Sequence, residues 1–260
     1  MDFLFFVLGL RHEGLQGNKS LNHANSDPFE ILKREAAARA MATVRSGMKV
    51  GLGTGSTARH FVDLLAARIK AEGMDIVGVP TSESTRQQAA GLGIVLSTLE
   101  QTPVLDVTVD GADEIDPALR LIKGGGGAHL REKMVALASK KLIIIADETK
   151  QVAQLGRFKL PLEVVPFGLN TTQQRLVEVL AAAGCQTRIT RRMRADGSVF
   201  VTDSGNAILD ADCVAIADPA GLAQALDGVT GLVEHGLFIG MATAAILATA
   251  DGIRVMGQLD

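Results

Sequence analysis

Between Pro28 and Ala146 short apolar runs alternate with segments of helical period, and this alternation narrows the fold more than any other feature of the chain. A helix is expected from Pro28 to Arg45, with Asp27 as its cap and Gly47 at its end. A buried strand at Lys49–Leu52 follows, then a glycine-rich turn, then a helix from about Thr57 to Glu72 with Phe61, Leu64, Leu65 and Ile69 on one face. The pattern continues as strand Ile76–Val79, helix Ser82–Gly91, strands Ile94–Leu96 and Val104–Val109, helix Gly127–Ser139 and strand Lys141–Ala146. Apolar strands alternating with helices predict an α/β fold, a mostly parallel sheet covered on both faces. Ligands of such sheets bind beyond the carboxyl ends of the strands.

The pattern changes after about Gln154. Glu163–Pro166, Gln173–Gly184, Gln186–Arg191, Phe200–Thr202, Ala207–Ile216 and Pro219–Leu226 read as a small α+β unit, with a hairpin turn at Arg194-Ala195-Asp196-Gly197. Gly231–Ile239 and Arg254–Met256 read as strands returning to the first unit. Residues 1–27 read as a loose extension. Its apolar run, Phe3–Leu10, follows Asp2 rather than a basic segment and is far shorter than a bilayer span. Gly236–Ala250 is also too short, and too rich in Gly, Ala and Thr, to span one.

Composition removes several functions. Lys and Arg total 26 against 29 Asp and Glu, a net charge of −3, so there is no basic excess to hold nucleic acid or an anionic membrane. The nine aromatic residues are all Phe, which leaves few rings for stacking bases or caging ammonium groups. Cys185 and Cys213 form neither a disulfide framework nor a CxxC pair, which fits a reducing cytoplasm. The 28 glycines point to places where backbone closely approaches something else.

Three segments carry candidate chemistry. Gly51-Leu52-Gly53-Thr54-Gly55-Ser56-Thr57-Ala58 joins a strand to a helix; its amides and hydroxyls suit a phosphate, although a plain capped turn has the same pattern. It is neither a Walker A loop nor a full dinucleotide fingerprint. Asp110-Gly111-Ala112-Asp113-Glu114-Ile115-Asp116 puts acids at a strand end, where they could hold sugar hydroxyls or move protons, or form a solvated turn. It matches no calcium loop, and the five His show no paired ligand spacing, so a metal site is not expected. Lys123 opens the run Gly124–Gly127, whose entropic cost implies close approach to a ligand. Glu132, on the helix that follows, is placed as a general base, and Arg131-Glu132-Lys133 alone would read as a solvated charge run. His129 and His235 read as loop or pocket-wall residues.

In this order the segments resemble type A ribose-5-phosphate isomerases. The resemblance rests on GLGTGSTA at 51–58, DGADEID at 110–116, KGGGGAHLREK at 123–133, IADETKQV at 145–152, LPLEVVPF at 160–167, VTDSGNAILD at 201–210 and HGLF at 235–238. It implies a Rossmann-like unit of residues 28–156 and 232–260 with a smaller α+β, ferredoxin-like unit at 157–231. It further implies the reversible conversion of ribose 5-phosphate to ribulose 5-phosphate in the pentose phosphate pathway, with no metal or organic cofactor, in a cytoplasmic homodimer or homotetramer. By resemblance Thr54, Gly55, Ser56 and Thr57 bind the phosphate end with help from Lys33. Asp110 and Asp113, with Gly111 and Ala112 between them, bind the sugar and assist ring opening. Lys123 and the amides of Gly124, Gly125 and Gly126 stabilise charge on O1 and O2, Lys150 lines the site, and Glu132 is the base. Leu130 departs from the family, some members of which carry a hydroxyl residue there. A sugar-phosphate deaminase or lactonase would share the phosphate loop but not the two later signatures. A sugar-phosphate sensor would want a basic helix-turn-helix, for which residues 1–46 lack both length and charge.

Overall fold

The computed structural model describes residues 28–259; the expected extension at 1–27 lies outside the described residues. In chain order the elements are α1 (Pro28–Met41), β1 (Lys49–Leu52), α2 (Ser56–Glu72), β2 (Val77–Pro80), α3 (Glu83–Gly91), β3 (Val95–Leu96) and β4 (Val107–Asp110). Next come β5 (Glu114–Ile115), β6 (Leu121–Ile122), α4 (His129–Leu137), β7 (Leu142–Asp147) and a 3-10 turn, Glu148–Lys150. The second half holds β8 (Leu160–Val164), α5 (Leu169–Ala182), β9 (Arg188–Arg191), β10 (Ala207–Asp212), α6 (Pro219–Asp227), β11 (Leu232–His235), β12 (Leu237–Phe238), β13 (Ala244–Thr249) and β14 (Gly252–Gly257).

The main sheet has the order β14-β13-β7-β4-β1-β2-β3 and is parallel except for the β13–β14 hairpin. Its inner strands β1, β4, β7 and β13 are buried because both sides of the sheet are covered there, while the edge strands β3 and β14 are largely exposed. In β7, Ile143 and Ile145 join the cluster with Ala36 and Ala40 of α1 and Phe61 and Leu65 of α2. Leu142, Ile144 and Ala146 face the opposite cluster, with Ile115, Leu121 and Phe238. Each fully buried Leu, Ile or Phe among them contributes roughly 1.5–3 kcal/mol by leaving water. The chain winds from β1 outward to β3, then returns to β4 on the other side of β1. The order therefore reverses between β1 and β4, which opens a crevice at their carboxyl ends.

The second sheet has the order β11-β8-β10-β9, wholly antiparallel. With α5 and α6 on its apolar side this is a βαββαβ unit of ferredoxin-like topology. It corrects one expectation. Leu232–His235 does not return to the main sheet but completes the second, because β8, buried throughout, needs a partner on each side. Only Leu237–Phe238, past Gly236, pairs elsewhere, in a three-stranded ribbon β12-β6-β5 that the sequence pattern does not announce. Phe200–Thr202 forms no full strand but extends a hairpin through the isolated pairs Met193↔Val199 and Val201↔Ala207.

Candidate active site

The three motif loops meet at the crevice between β1 and β4. Gly53 packs so tightly on β4 that a Cβ there would lie 2.3 Å from Asp110 Oδ1 and 2.5 Å from its Cα. Gly55, at φ 111°, turns the chain into α2 in a conformation that side chains resist. No side chain caps α2, so its first amides are left for an anion. Ser56 is exposed beside them, Thr57 is buried, and Thr54 sits between. The Thr54 N–H donates to Asp110 Oδ1 at 3.0 Å, joining the phosphate-type loop to the acid strand.

The acids of 110–116 divide by environment. Asp110 ends β4, almost wholly buried, and its Oδ1 also accepts the Gly111 N–H at 2.7 Å. Asp113 Oδ2 accepts the Gly125 N–H at 2.7 Å, which ties the acid turn to the glycine run. Gly111 offers its carbonyl to Lys123, and Ala112 packs its methyl toward the core beside Ile115. Glu114 instead turns inward to accept the N–H groups of Gly156 and Phe158, and Asp116 holds Ala118 and Arg120. Two of the four acids thus build the pocket and two build the fold.

The β5–β6–β12 ribbon brings Lys123 back over Asp110. The Lys123 N–H donates to Gly236 O at 2.9 Å, and Asp113 N–H to Ile122 O at 2.9 Å, which fixes both ends of the hairpin. The Lys123 ammonium donates to Gly111 O at 2.6 Å and lies 3.0 Å from Asp110 Oδ2 and 3.2 Å from Glu132 Oε2. Glu132 reaches it from the first turn of α4. Asp110 Oδ2 and Glu132 Oε2 are buried and close to the ammonium, yet neither is aligned for a hydrogen bond. Each keeps unused acceptor capacity. A Cβ on Gly126 would stand 3.7 Å from Thr54 Cγ2, so the glycine run closes the circle against the phosphate-type loop.

Electrostatics follow from this crowding. Burial, reinforced by the Asp110 charge and only partly offset by Lys123, pushes the Glu132 carboxyl up to about 8. Burial also raises Asp110, against the pull of Lys123. Burial alone would lower Lys123, but Asp110 and Glu132 together raise it above the ordinary lysine range. Lys123 therefore remains a cation while Glu132 becomes a base matched to near-neutral pH.

The remaining expected residues stand nearby in different ways. Lys33, on α1, donates to Glu30 at 2.6 Å, which also meets His60 Nε2 of α2 at 2.9 Å, so its ammonium is engaged by Glu30 and makes no hydrogen bond to the phosphate-type loop. Lys150 closes the 3-10 turn after β7, half-buried at the same sheet edge. His129 is buried under the glycine run, with its ring close to Gly124, and burial pushes it down to about 3, so it stays neutral. His235 is buried beside Lys133, which donates to its carbonyl, and stands next to Gly236, whose carbonyl accepts the Lys123 N–H.

Sequence reasoning passed over a hydroxyl cluster. Thr54 Oγ1 donates to Ser82 Oγ at 2.8 Å and lies 2.7 Å from Thr81 Oγ1 and 3.2 Å from Thr85 Oγ1. Thr81 and Thr85 are in turn bound to the carbonyls of Leu52 and Gly53. Ser82 also caps α3 through the Thr85 N–H, and Ser-x-x-Thr ahead of that helix was the available signal. Its second use, in orienting Thr54, depends on β2 lying beside β1, which no local pattern reports.

The sequence model of the family described as ribose 5-phosphate isomerase A (phosphoriboisomerase A) matches residues 77–252. A ribose-5-phosphate isomerase A of Bradyrhizobium diazoefficiens is 56% identical over 232 residues, 88% of this chain and 96% of that protein. A solved D-ribose-5-phosphate isomerase in complex with phospho-erythronic acid superposes with a TM-score of 0.83 at 34% identity, covering 89% of this chain and 100% of the other. The ribose 5-phosphate isomerase of Plasmodium falciparum gives 0.83 at 37% identity over 88% of this chain and 99% of its own. With the ordered motifs brought to one crevice on a matching fold, the chain belongs to the type A ribose-5-phosphate isomerase family.

Proposed function

We propose that this enzyme interconverts D-ribose 5-phosphate and D-ribulose 5-phosphate through a cis-enediolate, in the non-oxidative branch of the pentose phosphate pathway. The observation that carries the reading is the pair of buried carboxylates, Asp110 and Glu132, set at 3.0 and 3.2 Å from one buried ammonium with their facing oxygens unused.

The substrate phosphate lies on the amides of Gly55, Ser56 and Thr57 and the hydroxyls of Ser56 and Thr57 at the start of α2, next to Thr54, whose own N–H and hydroxyl are held by Asp110 and Ser82, with Lys33 and Lys150 adding positive charge. Binding at this unreacting end orients the carbon chain. Asp110 and Asp113 hold the sugar hydroxyls and move the proton needed to open the ring. Glu132 then removes the proton from C2 of the open aldose, the O2 hydroxyl proton moves to O1, and Glu132 returns its proton to C1, leaving C2 as the ketone. Electron density passes from the broken C2–H bond to O1, and Lys123 with the amides of Gly124–Gly126 receives that charge. Each preorganised donor of this kind is worth about 3 kcal/mol in the transition state. The relative captured with phospho-erythronic acid supports the reading, since that ligand joins a phosphate to a carboxylate.

The proposal extends to a cytoplasmic homodimer or homotetramer, supported by family membership. Among the described residues no helix is long and apolar enough to cross a membrane. The test is an NMR assay of EDTA-treated protein against a panel of pentose and hexose phosphates. Rapid equilibration of the ribose and ribulose 5-phosphates is expected. Binding without turnover, or turnover confined to another sugar phosphate, would overturn the proposal.

A further inference from the structure

The glycine run is held from outside the main sheet. Arg192, just after β9 in the second sheet, donates from Nη1 to Gly124 O at 2.7 Å and to Gly125 O at 3.1 Å. The same guanidinium is locked by Asp210 of β10, through Nε at 2.9 Å and through Nη2. Phe200 supports both parts: its ring lies 5.8 Å from the guanidinium carbon, and a Cβ on Gly127 would lie 2.4 Å from its Cζ.

Peptide planarity gives this clamp a consequence. In a trans peptide the C=O and the following N–H point in opposite directions, so fixing a carbonyl fixes the next amide. The Gly124–Gly125 plane is pinned at both ends, by Arg192 on its carbonyl and by Asp113 on its N–H. The Gly125–Gly126 plane is pinned only at its carbonyl. Among the described residues the Gly126 N–H has no acceptor, and, opposite the Gly125 carbonyl that Arg192 holds, it points away from the guanidinium. A cationic donor on the carbonyl also polarises the amide and strengthens its N–H. Glycines left unpinned would sample many orientations.

We propose that Arg192 is a positioning residue, whose guanidinium fixes the peptide plane that aims the Gly126 N–H at the oxygen on which negative charge develops. The inference rests on the isomerase reading of the site and adds to it a dependence on the second sheet. Lysine cannot replace the fork, because one ammonium does not span two carbonyls and a carboxylate in a single plane.

The test compares kcat, KM and two inhibition constants for the native enzyme, Arg192→Lys, Arg192→Gln and Asp210→Asn. The inhibitors are phospho-erythronic acid, which carries a carboxylate at the reacting end, and erythritol 4-phosphate, which carries a neutral alcohol there. In Arg192→Lys kcat should fall by ~10- to 100-fold, KM should change by less than about threefold, and the carboxylate inhibitor should weaken ~10-fold more than the alcohol. Asp210→Asn should move the same quantities less. If Arg192→Gln does not fold, Arg192→Lys alone decides. Unchanged kcat in Arg192→Lys, or equal weakening of the two inhibitors, would overturn the assignment. Glu132→Gln is measured alongside: if it is inactive while Arg192→Lys is fully active, only the clamp fails, whereas a fully active Glu132→Gln removes the base on which the reading stands.

Discussion

Lys123 and Lys133 lie ten positions apart, both buried, with ammonium groups 5.4 and 5.0 Å from the ring of the same residue, Phe238. Their surroundings differ in one respect. Lys133 donates to Glu234 Oε1 at 2.5 Å and to the His235 carbonyl at 2.8 Å, and His235 passes its other nitrogen to Asp227 at 3.2 Å. Every partner there is served, and burial, opposed by Glu234, leaves the Lys133 ammonium below the ordinary lysine range. Around Lys123 there are two carboxylates to one cation, and both facing oxygens are left over. Buried carboxylate oxygens that an ion pair reaches but no hydrogen bond saturates are costly, and the two beside Lys123 leave acceptor capacity for a ligand's donors. Lys133 is saturated, as a structural lysine would be, while the unsaturated surroundings of Lys123 are what its proposed role requires.

The contrast can be broken in order of expected effect. Glu132→Gln should lower kcat by ~10³-fold while substrate still binds in calorimetry, because only the base is lost. Lys123→Gln should lower kcat by ~10²- to 10³-fold, the cost of a donor to the developing anion. Lys133→Gln should reverse the pattern, with a Tm lower by several degrees and kcat within a few-fold. Equal kinetic losses at both lysines would dissolve the distinction.

Ionisation of Glu132 separates activity from stability. Its carboxyl titrates near 8 in the fold against 4.5 for the free side chain, so the fold binds the extra proton between these values. Stability from this group is complete below about 4.5 and is lost as pH rises through about 8. Over the same range kcat/KM should rise, since the base must be ionised. Thermal melts should therefore show Glu132→Gln gaining on the native enzyme between pH 5 and 9, while the native pH–rate profile climbs. The smallest expected effect on activity is at Glu114→Gln, which loses an acceptor for Gly156 or Phe158 and should cost ~1–3 kcal/mol of stability with kcat unchanged.

Much of the main sheet is legible in the sequence because β1, β4 and β7 are apolar runs of strand length flanked by periodic helices. The strand β13 is not. Ala244-Ala245-Ile246-Leu247-Ala248-Thr249 has two β-branched residues among alanines, and its assignment comes from pairing with β7 on one side and β14 on the other. The boundary at Leu232 misleads for a related reason, since only the unpaired edge of β8 decides which sheet takes the strand. In the site, Asp110, Lys123 and Glu132 are readable because their motifs are local. The division of Asp110 and Asp113 from Glu114 and Asp116 is visible only after β5 and β6 fold back. Arg192 lies 68 positions from Gly124 and carries no motif of its own.

The proposed role of Glu132, raised by burial and held against Lys123, is to carry the proton between C2 and C1. NMR of ribose 5-phosphate in D2O measures this directly by following solvent exchange at C2 and deuterium at C1 of the product. The native enzyme should show both, and Glu132→Gln, with substrate bound, should show neither. Exchange at C2 that persists at the native rate in Glu132→Gln would contradict that role.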